Sequence, residues 1–242
     1  MMRFINLKGV AFLLAIILVI GVAFIVLKPF SESARAGVNA NIKNHDLQNV
    51  QKASSGQYDI ERLISERSVG SDDAPLTMIE FSSLSCGHCG SFHQTTFDQI
   101  KENYIDTGKL KVIFVEFPFN APALRAAQLA RCLPESRYLP FTTILFKTQA
   151  DWAYNTDYLE RLTQNAKLAG MNEKGIEACI NNEKLQEALV ENMQKAQEKW
   201  NIDSTPSFVI NDGAEKIIGN QPYGTFKQTF ENILSQNDTS QN

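Results

Sequence analysis

Residues 80–89 read Glu-Phe-Ser-Ser-Leu-Ser-Cys-Gly-His-Cys, and this stretch decides the fold of the chain. The apolar run Leu76–Phe81 predicts a buried strand, and a helix is expected to begin near Cys86. Two cysteines separated by two residues at a helix start can close a small disulfide, and the unpaired N–H groups there stabilise a thiolate. The spacing alone is compatible with a redox pair, half of a zinc site or a structural bridge.

The surrounding sequence favours the redox pair. Cys86 is expected to be the exposed sulfur that attacks or is attacked, and Cys89, one helical turn further on, the buried resolving thiol. His88 lies between them and can add a second donor or charge that stabilises the thiolate. A zinc site needs two more ligands, whereas Cys132 and Cys179 stand apart without a neighbouring histidine. We therefore predict a redox-active dithiol and no metal site.

Outward from this stretch, the order of elements predicts an α/β fold. The helix is expected to run from Cys86 toward Ile105, and a second strand is predicted at Leu110–Phe117. Residues 121–200 show no strand signal of any length and contain several helical stretches. Two short strands and a final helix are predicted at 207–210, 214–218 and 223–234. The order β-α-β, helical block, β-β-α is that of a thioredoxin-like fold with a large helical insertion.

The chain is predicted to have five segments. They are a cytoplasmic N-terminus (1–8), a transmembrane anchor or signal segment (9–27), a polar tether (28–57), the thioredoxin-like domain (58–236, with its insertion at about 121–200) and a frayed tail (237–242). Residues 9–27 carry no charge, and as a helix they would come close to the bilayer's hydrocarbon thickness of about 30 Å. Arg3 and Lys8 favour an N-terminus that stays inside. The alternative is a signal peptide removed near Ala36. Both readings place the domain outside the cytoplasmic membrane.

Composition adds two constraints. The formal net charge is -4, which argues against nucleic acid as a partner because such binding needs clustered Lys and Arg. The cysteine count is even, at 4, and in an exported chain this permits disulfides.

Four motifs together resemble the DsbA family of exported thiol-disulfide oxidoreductases. They are the active-site stretch 80–89, the lead-in Gly-Ser-Asp-Asp-Ala-Pro at 70–75, the pair Thr205-Pro206 before an apolar strand, and Gly-Asn-Gln-Pro at 219–222. The resemblance covers roughly residues 69–234. One position departs from the pattern, because DsbA itself has Pro-His between its cysteines and this chain has Gly87 before the histidine. The departure leaves the strength of the oxidant open.

The resemblance implies roles for three further residues. Glu80 would be a proton acceptor beneath Cys89, the alternative being a strand-edge carboxylate that faces water. Pro206 would be cis and would face the dithiol, with Thr205 presenting backbone groups to a substrate strand.

Two other features concern the helices. Cys132 and Cys179 are predicted on helices of the insertion. Because similar family members carry cysteines in comparable places, a second, non-catalytic disulfide is expected; two separate buried thiols are the alternative. His93, one turn after Cys89, reads as an ordinary surface residue of its helix.

The resemblance implies a dithiol oxidase that needs no cofactor and works on the periplasmic side of the inner membrane. Its substrates would be reduced or unfolded secreted proteins, and a quinone-linked membrane partner would reoxidise it. An envelope reductase or isomerase is the first alternative, although the tether is too short for the dimerisation domain that such isomerases usually carry. A non-enzymatic assembly factor that holds extended peptides is the second.

Overall fold

A five-stranded mixed sheet forms the centre of the computed structural model, which describes residues 58–239, with side chains through 236. The strands are β1 (Arg67–Val69), β2 (Leu76–Ser82), β3 (Leu110–Glu116), β4 (Ser207–Ile210) and β5 (Glu215–Ile218). Their order is β1-β3-β2-β4-β5, with β2 and β3 parallel and the other pairs antiparallel. The active-site stretch therefore leaves the central strand of the sheet.

The helices surround this sheet. They are α1 (Ile60–Ile64), α2 (Gly87–Thr95), α3 (Phe97–Ile100), α4 (Ala121–Cys132), α5 (Glu135–Lys147), α6 (Gln149–Trp152), α7 (Tyr158–Leu168), α8 (Glu173–Ile180), α9 (Glu183–Trp200) and α10 (Tyr223–Thr239). A π-helical turn spans Lys101–Ile105 and a 3-10 turn spans Asn211–Gly213. Helices α4 to α9 form a continuous helical block between β3 and β4, and the whole is a thioredoxin-like α/β fold.

The predicted anchor at 9–27 and tether at 28–57 lie outside the described residues. Within 58–239, no helix is both long and apolar enough to cross a membrane.

Strand β1 is absent from the predicted order, and that prediction was wrong. The strand has only three residues, too few to show an alternating pattern. Its first residue, Arg67, is also 2% exposed. The guanidinium of Arg67 is buried because it donates hydrogen bonds to the carbonyl oxygens of Arg62 (3.1 Å) and Ser65 (3.2 Å). A charged residue in a buried strand position hides the strand from sequence reasoning.

The predicted single helix from Cys86 to Ile105 is divided in the structure. Helix α2 ends at Thr95, whose hydroxyl donates back to the carbonyl of Ser91 at 2.8 Å, a bond that bends helices. After α3 the helix widens into the π-helical turn, where the N–H of Asp106 donates to the carbonyl of Lys101, five residues earlier, at 2.8 Å. At the other end of the chain, α10 continues to Thr239, past its predicted end at Leu234.

The two faces of the sheet pack against different helices. On the main face, buried residues of β2, β3 and β4 join aromatic residues of α2, α3 and α10 in the larger core; these are Met78, Val112, Phe114, Phe208, Phe92, Phe97, Phe226 and Phe230. On the opposite face a smaller core contains Phe81, Val209 and, from α9, Ala196. Because strand side chains alternate, Glu80 points into the main core together with Met78.

A disulfide joins two helices of the block. Cys132 at the end of α4 and Cys179 in α8 are bonded, both fully buried, and 47 residues apart in sequence. The bond closes a long loop within the block, far along the chain from the dithiol at 86–89.

Replacing both cysteines with alanine is expected to lower the free energy of unfolding by about 4 kcal/mol, because the unfolded chain regains the entropy of a loop of about 48 residues. Urea unfolding of the double variant against the parent would measure this. A loss below about 1 kcal/mol would contradict it. The rate of thiol exchange at Cys86 should stay unchanged, which serves as the internal control.

Candidate active site

Cys86 caps the N-terminus of α2. Its backbone is extended (φ -82°, ψ 118°), and its Sγ accepts a hydrogen bond from the N–H of Cys89 at 3.4 Å. Both cysteines are free thiols; Cys86 is partly exposed, whereas Cys89 is buried. The two sulfurs therefore have the unequal exposure expected of an attacking and a resolving thiol.

The loop before β4 faces this pair. The Thr205–Pro206 peptide bond is cis, and the carbonyl oxygen of Thr205 accepts a hydrogen bond from the Cys86 thiol at 3.4 Å. Pro206 itself is buried, and its carbonyl accepts the N–H of Gly219 at 2.8 Å. The pairing of Phe81 in β2 with Ser207 in β4 places this loop beside the end of the central strand.

The pKa values of the two thiols are shifted in opposite directions. The hydrogen bond from the Cys89 side chain is the largest influence that lowers the pKa of Cys86, to about 5, and burial opposes it. Thr205 and the backbone N–H groups of Cys89 and His88 lower it further. Burial, followed by the hydrogen bond with Cys86, raises the pKa of Cys89 far above its usual range. The His88 ring is exposed, so the interaction of His88 with the thiolate is through its backbone.

Glu80 and His93 form a buried pair below this surface. Glu80 is 0% and His93 2% exposed, and His93 Nε2 lies 2.7 Å from Glu80 Oε1. The reading of His93 as a surface residue was therefore wrong. His93 follows Cys89 by four residues, so the two share the buried face of α2. That spacing was the sequence signal that would have revealed it.

Gln149 of α6 holds the active-site loop in place, and sequence reasoning missed it. Its Nε2 donates to the carbonyl oxygens of Leu84 at 2.7 Å and Cys86 at 3.0 Å. A Cβ on Gly90 would lie only 2.3 Å from Gln149 Oε1. A glycine directly after the second cysteine, in the first turn of a helix, was the available signal, since an interior helical glycine usually has a packing reason.

Two further contacts join the loop to the helical block. Ser85 Oγ donates to Asn120 Oδ1 at 3.0 Å, and Asn120 also caps α4. The Tyr154 hydroxyl donates to the carbonyl of Ser85 at 3.2 Å and lies 3.3 Å from a Cβ placed on Gly87. The loop is thus held by a residue at the start of the block and by one near its middle.

Three of the exposed large apolar side chains each belong to a sequence neighbour or strand partner of a residue beside the dithiol, or contact the active-site loop itself. Tyr154 is 66%, Phe119 54% and Ile218 48% exposed. Phe119 precedes Asn120, and Ile218 pairs with Ser207 after the cis-proline. Among residues 58–239, no three His, Cys, Asp or Glu side chains converge in a way that suits a metal ion.

Gly90→Ala is expected to lower the free energy of unfolding, because the new Cβ displaces Gln149 from two buried carbonyls. Without Gln149 the buried Leu84 carbonyl is left unpaired, at a cost of about 1–3 kcal/mol, and this cost exceeds the gain of up to about 1 kcal/mol in helix propensity. Chemical denaturation of Gly90→Ala, Gln149→Ala and the double variant tests this. The double variant should be less destabilised than the sum of the single ones. Strict additivity would contradict the proposed contact.

Comparison with known proteins agrees with this geometry. The profile of a family described as Thioredoxin matches residues 63–232. A Rickettsia typhi protein named as a protein-disulfide oxidoreductase is 33% identical over 144 residues, which are 59% of this chain and 53% of that one, so the chain spans about half the length of this relative. Disulfide bond formation protein D of Bacillus subtilis is 31% identical, over 79% of this chain and 86% of that protein.

Solved structures agree as well. The crystal structure of Wolbachia pipientis alpha-DsbA1 superposes with a TM-score of 0.68 at 30% identity, covering 74% of this chain and 95% of that one. The crystal structure of oxidised BdbD from Bacillus subtilis has a TM-score of 0.59 at 26% identity, covering 70% and 93%. The chain therefore belongs to the DsbA family of thiol-disulfide oxidoreductases.

Proposed function

We propose that this protein is a dithiol oxidase that introduces disulfide bonds into reduced extracytoplasmic proteins. The observation that carries the proposal is the position of the partly exposed Cys86 sulfur at the N-terminus of α2, where it accepts the N–H of Cys89. This setting lowers the pKa of Cys86 to about 5, whereas burial raises the pKa of Cys89 far above its usual range. A thiolate that is stable in the dithiol form is a good leaving group. The corresponding disulfide is therefore readily reduced, which makes it an oxidant.

The proposed reaction has two exchange steps. A substrate thiolate attacks Cys86 Sγ in the Cys86–Cys89 disulfide, the S–S bond breaks, and Cys89 leaves as a thiolate that takes up a proton. A second substrate thiolate then attacks the substrate sulfur of the mixed disulfide, and Cys86 leaves as a thiolate. The substrate loses two electrons as its disulfide forms, and the enzyme gains them as its dithiol.

The remaining site residues support these steps. Thr205 and Pro206 would present the backbone that aligns a substrate segment beside Cys86, and the exposed side chains of Phe119, Tyr154 and Ile218 would contact its apolar residues. Glu80 would exchange the Cys89 proton. His88 would stabilise the leaving Cys86 thiolate.

The chain organisation extends the proposal. Residues 9–27 would anchor the domain on the periplasmic side of the inner membrane, or would direct its export with cleavage near Ala36. By family resemblance, a quinone-linked membrane protein would accept the electrons of the dithiol. Membrane fractionation of the full chain, with and without alkaline extraction, distinguishes the anchored form from a released one.

The reduction potential of the Cys86–Cys89 pair, equilibrated with glutathione, tests the direction of electron flow. We expect a value nearer that of DsbA, about -120 mV, than that of thioredoxin, about -270 mV. A thioredoxin-like value would support the reductase instead. Cys86→Ser should abolish oxidation of a reduced protein substrate. If that variant kept full cellular function, a holding role without redox chemistry would replace the proposal.

The ionisation of Cys86 gives a second prediction. In the dithiol form, thiolate absorbance at 240 nm should titrate with a midpoint near pH 5 and vanish in Cys86→Ser. Cys89→Ala should raise this midpoint because it removes the strongest hydrogen bond to the thiolate, whereas Cys89→Ser keeps a hydroxyl donor and should raise it less. Equal midpoints in the two variants would show that the Cys89 side chain does not act as the donor.

The same shift affects stability. An unfolded cysteine has a pKa of about 8.5, so the lowered value in the folded dithiol form stabilises that form fully only above about pH 8.5. This contribution decreases toward lower pH and is lost as the pH falls through about 5.

A further inference from the structure

Three consecutive carbonyl oxygens of the active-site loop accept hydrogen bonds from one short segment of the helical block. Gln149 Nε2 donates to the carbonyls of Leu84 at 2.7 Å and Cys86 at 3.0 Å. The Tyr154 hydroxyl, just past the end of α6, donates to the carbonyl of Ser85 between them at 3.2 Å. The segment from Gln149 to Tyr154 therefore sets the direction of three successive peptide dipoles beside the dithiol.

The direction of these dipoles matters because dipoles are the main influence that stabilises the Cys86 thiolate. The pKa of Cys86 is lowered most by the hydrogen bond from the Cys89 side chain, and then by Thr205 and the backbone N–H groups of Cys89 and His88. None of these groups is an ionised side chain, and the His88 ring is exposed. A thiolate in such a setting is sensitive to every nearby peptide dipole, because no full charge outweighs them.

The hydrogen bonds from the block direct the dipoles favourably. In a planar trans peptide the C=O and N–H groups point in opposite directions. A carbonyl oxygen that is bonded to Gln149 or Tyr154 cannot turn toward the Cys86 sulfur without losing that bond. An oxygen that did turn would bring its partial negative charge to the thiolate and repel it. The block therefore keeps the turn between β2 and α2 in the orientation that suits an anion.

The two donors differ in how firmly they are held. Gln149 is 7% exposed, and it packs so closely on α2 that a Cβ on Gly90 would approach its Oε1 to 2.3 Å. Tyr154 is 66% exposed, so water can partly replace its hydroxyl as a donor to Ser85. Gln149 is therefore expected to have the larger effect.

We propose that Gln149 and Tyr154 are positioning residues of the dithiol, which stabilise the Cys86 thiolate by holding the carbonyl oxygens of residues 84–86 away from it. This inference rests on the proposed dithiol oxidase and deepens it, because it makes the helical block a determinant of oxidising strength. A less stable thiolate disfavours the dithiol form relative to the disulfide, and the disulfide is then a weaker oxidant.

Gln149→Leu removes both hydrogen bonds with little change in side-chain size. In the dithiol form, thiolate absorbance at 240 nm should titrate about one pH unit higher than in the parent, because the net contribution of one hydrogen bond is close to the free energy of one pKa unit. Tyr154→Phe keeps the ring and removes only the hydroxyl, so it should raise the midpoint by a smaller amount.

The same variants should be weaker oxidants. Equilibration with glutathione converts the protein dithiol and one oxidised glutathione into the protein disulfide and two reduced glutathione molecules. At pH 7, Gln149→Leu should shift this equilibrium about tenfold toward the protein disulfide, which corresponds to a reduction potential about 30 mV lower. A side chain that only stabilised the fold would affect both redox forms equally, and its loss would change neither the midpoint nor the equilibrium.

Gln128→Leu is the matched control. Gln128 is also buried in the helical block, and its Nε2 donates at 3.3–3.4 Å to the carbonyls of Cys179, Ile180 and Asn182. Its loss should lower the free energy of unfolding but leave the thiolate midpoint and the glutathione equilibrium at their parental values. If Gln149→Leu also leaves both values unchanged, or if Gln128→Leu shifts them as strongly, the proposal is overturned.

Tyr154→Phe keeps the inference testable if Gln149→Leu does not fold, because Tyr154 is largely exposed and its ring is retained. An unchanged midpoint in Tyr154→Phe would then overturn the proposal. The parent protein distinguishes the two levels of inference. A parent with a thioredoxin-like reduction potential refutes the proposed oxidase, whereas an oxidising parent with unshifted variants refutes only the roles of Gln149 and Tyr154.

Discussion

The hydrogen bond from the Cys89 N–H to the Cys86 sulfur is the interaction on which the rest of the site depends. A helix start leaves backbone N–H groups without partners, and an N-cap side chain usually satisfies one of them with an oxygen. In this chain a sulfur occupies the cap position. Because the cap is better satisfied by an anion than by a neutral thiol, helix formation and thiolate formation stabilise each other. Breaking the helix start would remove both.

This arrangement requires a loop that does not move, and the helical block supplies the constraint. Gln149 satisfies the carbonyl of Leu84, which the turn from strand to helix would otherwise leave buried without a partner, and adds a second hydrogen bond to the carbonyl of Cys86. Asn120 and Tyr154 hold Ser85 from two other sides. The helical block therefore also fixes the position of the active-site loop. Its contacts with the loop explain why residues distant in sequence are needed to fix the geometry of two cysteines.

The sequence predicted the parts of the fold that depend on local patterns. The apolar strands, the helix start at Cys86 and the helical block all follow from the spacing of apolar residues and from the Gly, Pro and Asn residues between them. The prediction failed where a tertiary contact overrides the local signal. Arg67 lies in a strand because carbonyl oxygens accept hydrogen bonds from its guanidinium, and His93 is buried because it shares a hydrogen bond with the buried Glu80. Gln149 has no signal at its own position, because its role exists only once α6 packs beside the active-site loop; the sequence indicates the contact only through Gly90.

Two buried carboxylates on adjacent strands differ in how fully their oxygens are hydrogen-bonded. Glu116 of β3 accepts two hydrogen bonds from Arg131 and one from Tyr138, at 2.5, 2.6 and 2.8 Å. Burial opposes ionisation there, but Arg131 holds the pKa of Glu116 below its usual value.

Both oxygens of Glu116 are thus occupied, and the guanidinium of Arg131 neutralises the charge. Glu80 has one oxygen bonded to an imidazole and one oxygen free. A folding requirement alone would favour the first arrangement, because each unsatisfied buried atom costs free energy. Glu80 departs from that arrangement, because its Oε2 is buried and contributes no hydrogen bond to the fold.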